Sequence, residues 1–228
     1  MNILCLNCRG CGRPETVNEI NNLVKLYHPC LVFLSETKLS ATRAQDLRLR
    51  LGFSNAFGVK SEGLSGGLAL FWNSDSVVSL KSYNNSHIDV LIQNENLGDK
   101  EWRFTGFYGE PARAKRKNSW ELMKYLREQY ENPWLCAGDF NEILEATEQF
   151  GGLIRDEWRM DGFRKLWMSV VLMTWDIWAC HIRGITGNKI MTTLKLGWIE
   201  DLVMINFRNF SVTQLYNMFK PQNQTIVL

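Results

Sequence analysis

The sequence has 228 residues, which is enough for one large domain or for two very small ones. Its content of 45% hydrophobic and 22% charged residues is typical of an ordinary globular protein, and its nine tryptophans indicate a large buried core. The formal net charge of +2 is too small to indicate, by itself, a protein that binds nucleic acid.

No segment has the properties of a membrane span or a leader. The longest apolar stretch, Leu166–Cys180, is interrupted by Ser169, Thr174 and Asp176 and is too short to cross a bilayer. A short strand-like run follows Met1 directly, which is not the pattern of a signal peptide. We therefore expect a soluble intracellular protein without a membrane partner.

The hydrophobic pattern predicts many strands and few helices. In chain order these are a strand at Met1–Leu6, a helix at Thr16–Tyr27, strands at Cys30–Leu34, Phe53–Val59, Gly67–Trp72, Val77–Tyr83, Ile88–Gln93 and Trp102–Tyr108, a helix at Ser119–Tyr130, and a strand at Trp134–Ala137. Ser119 is a candidate N-cap of the second helix. Many strands with few, widely spaced helices favour two packed sheets with the helices outside. After about Arg164 neither a helical nor a strand period is recognisable.

Three of the six cysteines, Cys5, Cys8 and Cys11, have a spacing that is compatible with a zinc or iron–sulfur site. However, Cys5 lies inside a predicted buried strand, and no second pair of cysteines follows nearby. We therefore favour small buried thiols over a metal site.

Polar residues stand directly after several predicted buried strands. Asn7 follows the first strand, Glu36 follows the second, Tyr108 ends another, and Asp139 and Asn141 follow a later one. Catalytic groups are commonly displayed at strand ends, because a rigid sheet fixes their positions. Carboxylates and carboxamides with few histidines suit a hard ion such as Mg²⁺ or Mn²⁺, which polarises phosphoryl oxygens and helps to generate hydroxide.

Each of these residues also has a structural explanation when it is taken alone. Glu36 can cap a helix, Asp139 can begin an Asx-turn, Asn7 can satisfy loop backbone, and Tyr108 can belong to the core. Their combination in this order is much more specific than any one of them.

Five ordered motifs resemble the endonuclease/exonuclease/phosphatase superfamily, and within it the apurinic-type endonuclease domain of plant non-LTR (LINE-type) retrotransposons. The resemblance runs to about Arg164 and returns briefly at Asn209–Val212. The motifs are Leu6–Gly10, Leu34–Lys38, Ser65–Ala69, Gly106–Gly109 and Gly138–Asn141. The resemblance implies an α+β fold, a four-layered α/β-sandwich of two packed mixed β-sheets flanked by helices. It also implies Mg²⁺ or Mn²⁺ as cofactor and DNA as partner; we expect a monomer, nuclear if it acts on genomic DNA.

The resemblance also assigns roles to the five residues. It implies that Glu36 holds the divalent metal with Asn7 beside it, and that Tyr108 contacts the scissile phosphate. Asp139 is expected to orient or deprotonate the attacking water, and Asn141 to stabilise the pentavalent transition state. The implied products are a 5′-phosphate and a 3′-hydroxyl, and the hydroxyl would prime reverse transcription in an intact element.

Two further motifs of the family, Leu-Asp-Arg and Ser-Asp-His, are missing. The chain has Leu194–Gly197 before Asn209 and ends in a tail that includes Pro221–Ile226, and neither segment carries them. In the family, the Asp–His pair of the Ser-Asp-His motif acts directly at the phosphate. None of the three histidines, His28, His87 and His181, stands at a position that suits this role.

We hypothesise a frameshift as the cause of this loss. Plausible codons for Gly197–Ile205, translated from the third base of Gly197, can encode Leu-Asp-Arg-Gly-Leu-Gly-Asn-Asp. The same offset gives Ser-Asp-His-Cys-Pro from Asn223, and Asp-Leu-Gly-Tyr-Leu-Gly from Met173, each where the family has such a string. We hypothesise that frameshifts altered much of residues 174–228. We expect an endonuclease/exonuclease/phosphatase-like domain at 1–165, with 166–228 as a degenerate C-terminal part of the same domain. The strands of that part are expected to be incomplete or disordered and to leave a sheet edge unpaired.

Three functions remain open from the sequence. The first is an inactive relic of a retrotransposon endonuclease, which we favour, and the second is a weak Mg²⁺-dependent nuclease or phosphatase. The third is a non-catalytic nucleic-acid-binding module that uses basic residues after Gly152 and a basic run. This basic run comprises Arg113, Lys115, Arg116 and Lys117. Its alternative explanation is a solvated surface loop, which we favour unless other evidence places DNA there.

Overall fold

The structure is a computed structural model, and it describes residues 2–63, 65–94, 101–132, 134–142, 156–171, 182–185, 189–195 and 203–206. Its described helices are α1 (Pro14–Tyr27), α2 (Ala41–Leu51), α3 (Arg116–Glu128) and α4 (Glu157–Val171). Its described strands are β1 (Asn2–Asn7), β2 (Leu31–Ser35), β3 (Asn55–Glu62), β4 (Ser65–Trp72), β5 (Ser76–Asn84), β6 (His87–Asn94), β7 (Trp102–Tyr108), β8 (Trp134–Asp139), β9 (Ile182–Ile185), β10 (Lys189–Lys195) and β11 (Val203–Asn206).

The strands form two mixed sheets. The first sheet has the order β3-β4-β2-β1-β10-β9, and within it only the β1–β2 pair is parallel. The second has the order β11-β8-β7-β6-β5, with β8 parallel to both of its neighbours. This architecture confirms the predicted α/β-sandwich of two packed sheets flanked by helices.

Alternation along the strands explains the layers. In β1, Ile3 and Cys5 belong to the core between the two sheets, whereas Leu4 and Leu6 belong to a second core that includes residues of α1 and α2. A third core packs α3 and α4 against the outer face of the second sheet. Successive side chains of a strand point to opposite faces of the sheet, and here both faces are apolar. Each sheet therefore packs against the other sheet on one face and against two helices on the other, which gives four layers.

The two sheets are in close contact at Gly106. A Cβ atom at this position would lie 2.2 Å from the ring of Phe33, which is fully buried on the facing strand β2. Glycine is therefore needed here for close packing rather than for backbone freedom.

Helix α2 is one of the elements that the hydrophobic pattern does not predict; α4, β9, β10 and β11 are the others. Its buried residues are Ala44, Leu47 and Leu51, too few to give a strong apolar period. Its ends carry recognisable signals, because the Ser40 side chain accepts from the Arg43 amide and Gly52 ends the helix at a φ of 79°.

The prediction that Ser119 caps the second helix is wrong. Helix α3 begins at Arg116, so Ser119 lies one turn inside it and is buried. Its Oγ atom instead accepts a hydrogen bond from the Glu110 amide at 2.8 Å. A serine satisfied by a nearby loop has the same local sequence as a serine cap, so the sequence does not separate the two.

The predicted unpaired sheet edge is also wrong. Strand β10 pairs with β1 in antiparallel register, and β11 pairs with β8 in parallel register. Backbone pairing needs a segment of sufficient β-propensity and not a particular catalytic motif, so these edges are occupied although two motifs are missing. The expected division at residue 165 stays a prediction. Helix α4 runs across that position without a break.

Within the described ranges, no helix has the length and apolar content needed to cross a lipid bilayer. Leu166, the first residue of the apolar stretch Leu166–Cys180, is buried against α3. Most of the remainder of that stretch lies outside the described residues.

Candidate active site

Four strands deliver the predicted site residues to one end of the sandwich. Asn7 is the last residue of β1, and Glu36 directly follows β2, its parallel neighbour. Tyr108 and Asp139 are the last residues of β7 and β8, which are also parallel neighbours, and Asn141 follows two residues later. Since parallel strands end at the same sheet edge, each sheet presents its polar residues together.

The side-chain amide of Asn7 joins the two sheets. Its Nδ2 atom donates to Glu36 Oε1 at 2.9 Å and to Asp139 Oδ2 at 2.8 Å. The Tyr108 hydroxyl donates to the same Glu36 Oε1 atom at 3.0 Å. The structure therefore brings together all five residues that the sequence predicted from separate strand ends.

The backbone fixes which way the Asn7 amide points. The Arg9 amide donates to Asn7 Oδ1 at 3.2 Å, which leaves Nδ2 facing the two carboxylates. In this orientation Asn7 positions Glu36 and Asp139, because an amide nitrogen does not bind a hard cation. A role of Asn7 as a metal ligand stays a prediction.

A tight turn after β8 holds Asp139 and Asn141. The Asn141 amide donates to Asp139 Oδ1 at 3.0 Å, and Asn141 Nδ2 donates to the Gly109 carbonyl at 2.7 Å. The Gly109 amide in turn donates to the Asp139 carbonyl at 2.7 Å. A Cβ atom on Gly109 would lie 1.9 Å from the Phe140 carbonyl oxygen, so only glycine permits this approach.

The loop that carries Glu36 has unusual backbone geometry. Glu36 and Lys38 have φ angles of 54° and 55°, a region that residues with a Cβ atom seldom adopt. The Thr37 amide donates to the Gly67 carbonyl at 3.0 Å, and a Cβ atom on Gly67 would lie 2.5 Å from Thr37 Oγ1. The Ser65–Ala69 motif therefore supports the Glu36 loop, a role that the sequence did not reveal.

The environment keeps the Tyr108 hydroxyl protonated. Burial raises the pKa of Tyr108 above its usual value, and the charge of Glu36 together with its hydrogen bond raises it further. At neutral pH the phenol is therefore a hydrogen-bond donor rather than a base.

The donor set fits a hard divalent cation that retains water ligands. Glu36 is half-buried, whereas Asp139 and Asn141 are 3% and 2% exposed, so Glu36 is the more accessible carboxylate. Among the residues that the structure describes, no group of three or more His, Cys, Asp or Glu side chains is arranged to hold a metal. An ion bound here would take its remaining ligands from water and substrate, as Mg²⁺ commonly does.

The two histidines that the structure describes are not part of this site. His28 is exposed at the C-terminal end of α1. His87 is buried at the start of β6, where its ring nitrogens bond Ser82 Oγ at 2.8 Å and Asn84 Oδ1 at 2.9 Å. His181, the Asn209–Val212 segment and the tail Pro221–Ile226 lie outside the described residues.

The three N-terminal cysteines do not converge. Cys5 packs in the core between the sheets, while Cys8 and Cys11 belong to the core under α1 and α2. The Cys11 thiol donates to Cys8 Sγ at 2.8 Å, and the Cys8 thiol donates to the Ser35 carbonyl at 3.1 Å. Burial raises the pKa of Cys5 and of Cys8, which disfavours thiolate ligands. This arrangement supports the interpretation as buried thiols.

A sequence model of the endonuclease/exonuclease/phosphatase family matches residues 1–198. The chain belongs to this family. The match includes β9 and β10 and therefore extends past Arg164, where the motif comparison ended. No curated protein matches the chain.

Solved structures of low sequence identity share the fold. An AP endonuclease from Archaeoglobus fulgidus has a TM-score of 0.57 at 13% identity, covering 85% of this chain and 86% of that one. The endonuclease domain of TRAS1, a telomere-specific non-LTR retrotransposon, has a TM-score of 0.55 at 14% identity, with 84% and 83% covered. The 3′ phosphatase NExo from Neisseria, bound to a product DNA hairpin, has a TM-score of 0.52 at 14% identity, with 75% and 71% covered.

Proposed function

We propose that this chain is the endonuclease domain of a plant non-LTR retrotransposon, a Mg²⁺-dependent phosphodiester hydrolase that has lost its activity. The observation that carries the proposal is the Asn7 amide, which holds carboxylates from both sheets at 2.9 and 2.8 Å. Two carboxylates around one neutral donor repel each other unless a cation binds them, so this cluster favours a cation-binding function. Phosphoryl transfer is the chemistry that this arrangement serves best.

The residues divide the work in the ancestral reaction as follows. Glu36 would hold the divalent ion, which would supply the charge that polarises the phosphate. Asp139 orients the attacking water and accepts its proton, while Asn141 donates to the charge that develops on the phosphoryl oxygens. The Tyr108 hydroxyl, which its raised pKa keeps protonated, donates a hydrogen bond to the phosphate. Positioned donors of this kind stabilise a phosphoryl transition state without reorganising during the reaction.

The missing Asp–His pair is the basis for proposing loss of activity. Groups that act as a unit in catalysis lose most of the rate together when one is removed. The two described histidines are committed elsewhere, His28 at the end of α1 and His87 to Ser82 and Asn84. The five retained residues are therefore a partial site.

DNA is the proposed partner. The Neisseria relative is described as bound to a product DNA hairpin, and the TRAS1 relative as a retrotransposon endonuclease domain. In this chain the basic run leaves three cations exposed close to the loop after Tyr108, namely Arg113, Lys115 and Lys117. These side chains are available to phosphates of a nucleic-acid backbone.

The decisive experiment is nicking of supercoiled plasmid by the purified, folded chain with Mg²⁺ or Mn²⁺. It is run beside Asp139→Ala and beside a repaired chain in which the offset codons restore the Leu-Asp-Arg and Ser-Asp-His strings. We expect no nicking by the chain itself, nicking by the repaired chain, and its abolition when Asp139→Ala is introduced into the repaired chain.

The other outcomes identify the alternatives. Nicking by the unrepaired chain that Asp139→Ala abolishes would show that the retained residues suffice, and the chain would be a weak nuclease. Salt-sensitive DNA binding by the unrepaired chain, with no cleavage by the repaired one, would instead identify a non-catalytic binding module.

A further inference from the structure

The first turn of α3 contacts both loops that follow the strands of the second sheet that carry site residues. Ser119 Oγ accepts from the Glu110 amide at 2.8 Å, in the loop after β7. Arg116 Nη2 donates to the Pro111 carbonyl at 3.4 Å in the same loop, and its Nη1 donates to Glu142 Oε2 at 3.3 Å in the loop after β8. One arginine therefore connects the segment following Tyr108 to the segment following Asn141.

The Arg116–Glu142 ion pair is largely withdrawn from water. The two side chains are 13% and 6% exposed, whereas the other members of the basic run are exposed. For comparison, the Lys124–Glu121 pair on the same helix is 51% and 72% exposed. Breaking a desolvated pair leaves a buried charge without its partner, while breaking an exposed pair has little effect.

Glu142 is placed to act on the turn after β8 that holds Asp139 and Asn141. It directly follows Asn141, whose φ of 53° is a conformation that the surrounding contacts must maintain. Asn141 is bound to Gly109 and Asp139, and Gly109 is bound to Asp139. The ion pair closes this set of bonds from the side of α3, because it fixes the residue next to Asn141 against the helix.

We propose that Arg116 and Glu142 are positioning residues for Asp139 and Asn141. They hold the turn after β8 in the strained conformation that directs the Asp139 carboxylate toward Asn7. This inference rests on the proposed function for the meaning of the turn, but the positioning itself is a property of the folded chain. It also removes Arg116 from the cations that are available to nucleic acid, although the sequence places it in the basic run.

Amide hydrogen exchange of the full-length chain, observed by NMR, tests the proposal without requiring activity. The variants are Glu142→Gln and Arg116→Met, and Arg116→Lys is the conservative replacement. Glu121→Gln, which removes the exposed ion pair of the same helix, is the matched control. The reporter amides are those of Asn141 and Gly109, and the reference amides are those of Leu135 and Phe104 inside β8 and β7.

We expect both reporter amides to exchange at least about tenfold faster in Glu142→Gln and in Arg116→Met, with the reference amides changed less than about twofold. Arg116→Lys should restore most of the protection, and Glu121→Gln should leave all four amides as in the parent chain. The proposal is overturned if the reporters stay protected, or if reporters and references accelerate equally, because the pair would then support only the fold. Failure of the nicking experiment would leave these exchange rates unaffected, so the two failures are distinguishable.

Discussion

Asn7 Nδ2 lies 2.8 Å from Asp139 Oδ2, although the two residues are 132 positions apart in the chain. The same nitrogen lies 2.9 Å from Glu36 Oε1, so one neutral amide separates two carboxylates. This contact joins the C-terminal end of β1 in one sheet to the C-terminal end of β8 in the other. The stability of the site therefore depends on a residue that carries no charge.

Replacing Asn7 by Asp should test this dependence. The substitution adds a third carboxylate and removes the shared donor, and we expect a loss of about 1–3 kcal/mol in the free energy of unfolding at pH 7. Mg²⁺ should recover part of this loss, because a bound cation offsets the repulsion. Urea denaturation with and without Mg²⁺ measures both effects.

The matched control for Asn7→Asp is Asn22→Asp, on the exposed face of α1. It adds the same charge away from the site and should change stability by less than about 0.5 kcal/mol, with no response to Mg²⁺. Equal losses in the two variants would contradict the bridging role of Asn7.

The buried pair Arg103–Asp89 should be the most sensitive ion pair described in the structure. Arg103 is fully buried, bonds both Asp89 oxygens at 2.8 and 2.9 Å, and stacks within 4.8 Å of the Tyr130 ring. Arg103→Met leaves a buried carboxylate unpaired, and we expect a loss of about 3–5 kcal/mol. The double variant Arg103→Met/Asp89→Leu should lose less than the single one, which a double-mutant cycle by urea denaturation measures.

Lys124→Met is the control for that cycle. It breaks the exposed pair with Glu121 and should cost less than about 1 kcal/mol. A double variant less stable than Arg103→Met alone would show that the remaining contacts of Asp89, such as the hydrogen bond that it accepts from Thr105, outweigh the cost of its unpaired charge.

His87 should make folding sensitive to mild acid. The pKa of His87 is lowered to about 4, chiefly because burial disfavours the charged ring; the charge of Asp89 opposes the shift and the charge of Arg103 adds to it. The usual pKa of histidine is about 6.5. Between pH 6.5 and pH 4 the His87 ring therefore binds a proton in the unfolded chain but not in the folded chain. Stability falls as pH falls through this window. The loss attributable to His87 is on the order of 2–3 kcal/mol by the same linkage.

Urea denaturation at pH 7.0, 5.5 and 4.5 tests this prediction by comparing the parent chain with His87→Gln. The glutamine cannot take up the proton, so the variant should show a flatter dependence on pH. His28→Asn, at the exposed end of α1, should retain the dependence of the parent chain. Parallel curves for the parent chain and His87→Gln would refute the assignment.

The frameshift hypothesis makes an exact statement about codons. For the offset translation of Gly197–Ile205 to give the family string, Asp201 must be encoded by GAC and Leu202 by a codon that begins with T. Sequencing the genomic DNA decides this directly. A CTN codon at Leu202 would exclude the hypothesis for this window, and Leu31–Leu39, where the motifs are intact, serves as the comparison window.

Local patterns were sufficient to predict most of the fold. Strands such as β7, Trp102–Tyr108, have the predicted bounds because continuous apolar runs bounded by polar residues depend only on neighbouring residues. Helix α2 was not predicted, because its three buried side chains form too weak a period against its polar residues. The pairing of β10 with β1 was not predicted either, since pairing depends on contacts between distant segments.

The sequence by itself determined which residue types stand at the strand ends, and hence the chemistry of Asn7, Glu36, Tyr108, Asp139 and Asn141. It did so because strand ends and turn residues are fixed by period and composition within a few positions. Only the tertiary structure decided that the Asn7 nitrogen faces both carboxylates, and that Arg116 is bound to Glu142 rather than presented to solvent. These relationships depend on how two sheets and α3 pack, and packing is determined by contacts between residues that are far apart in the chain.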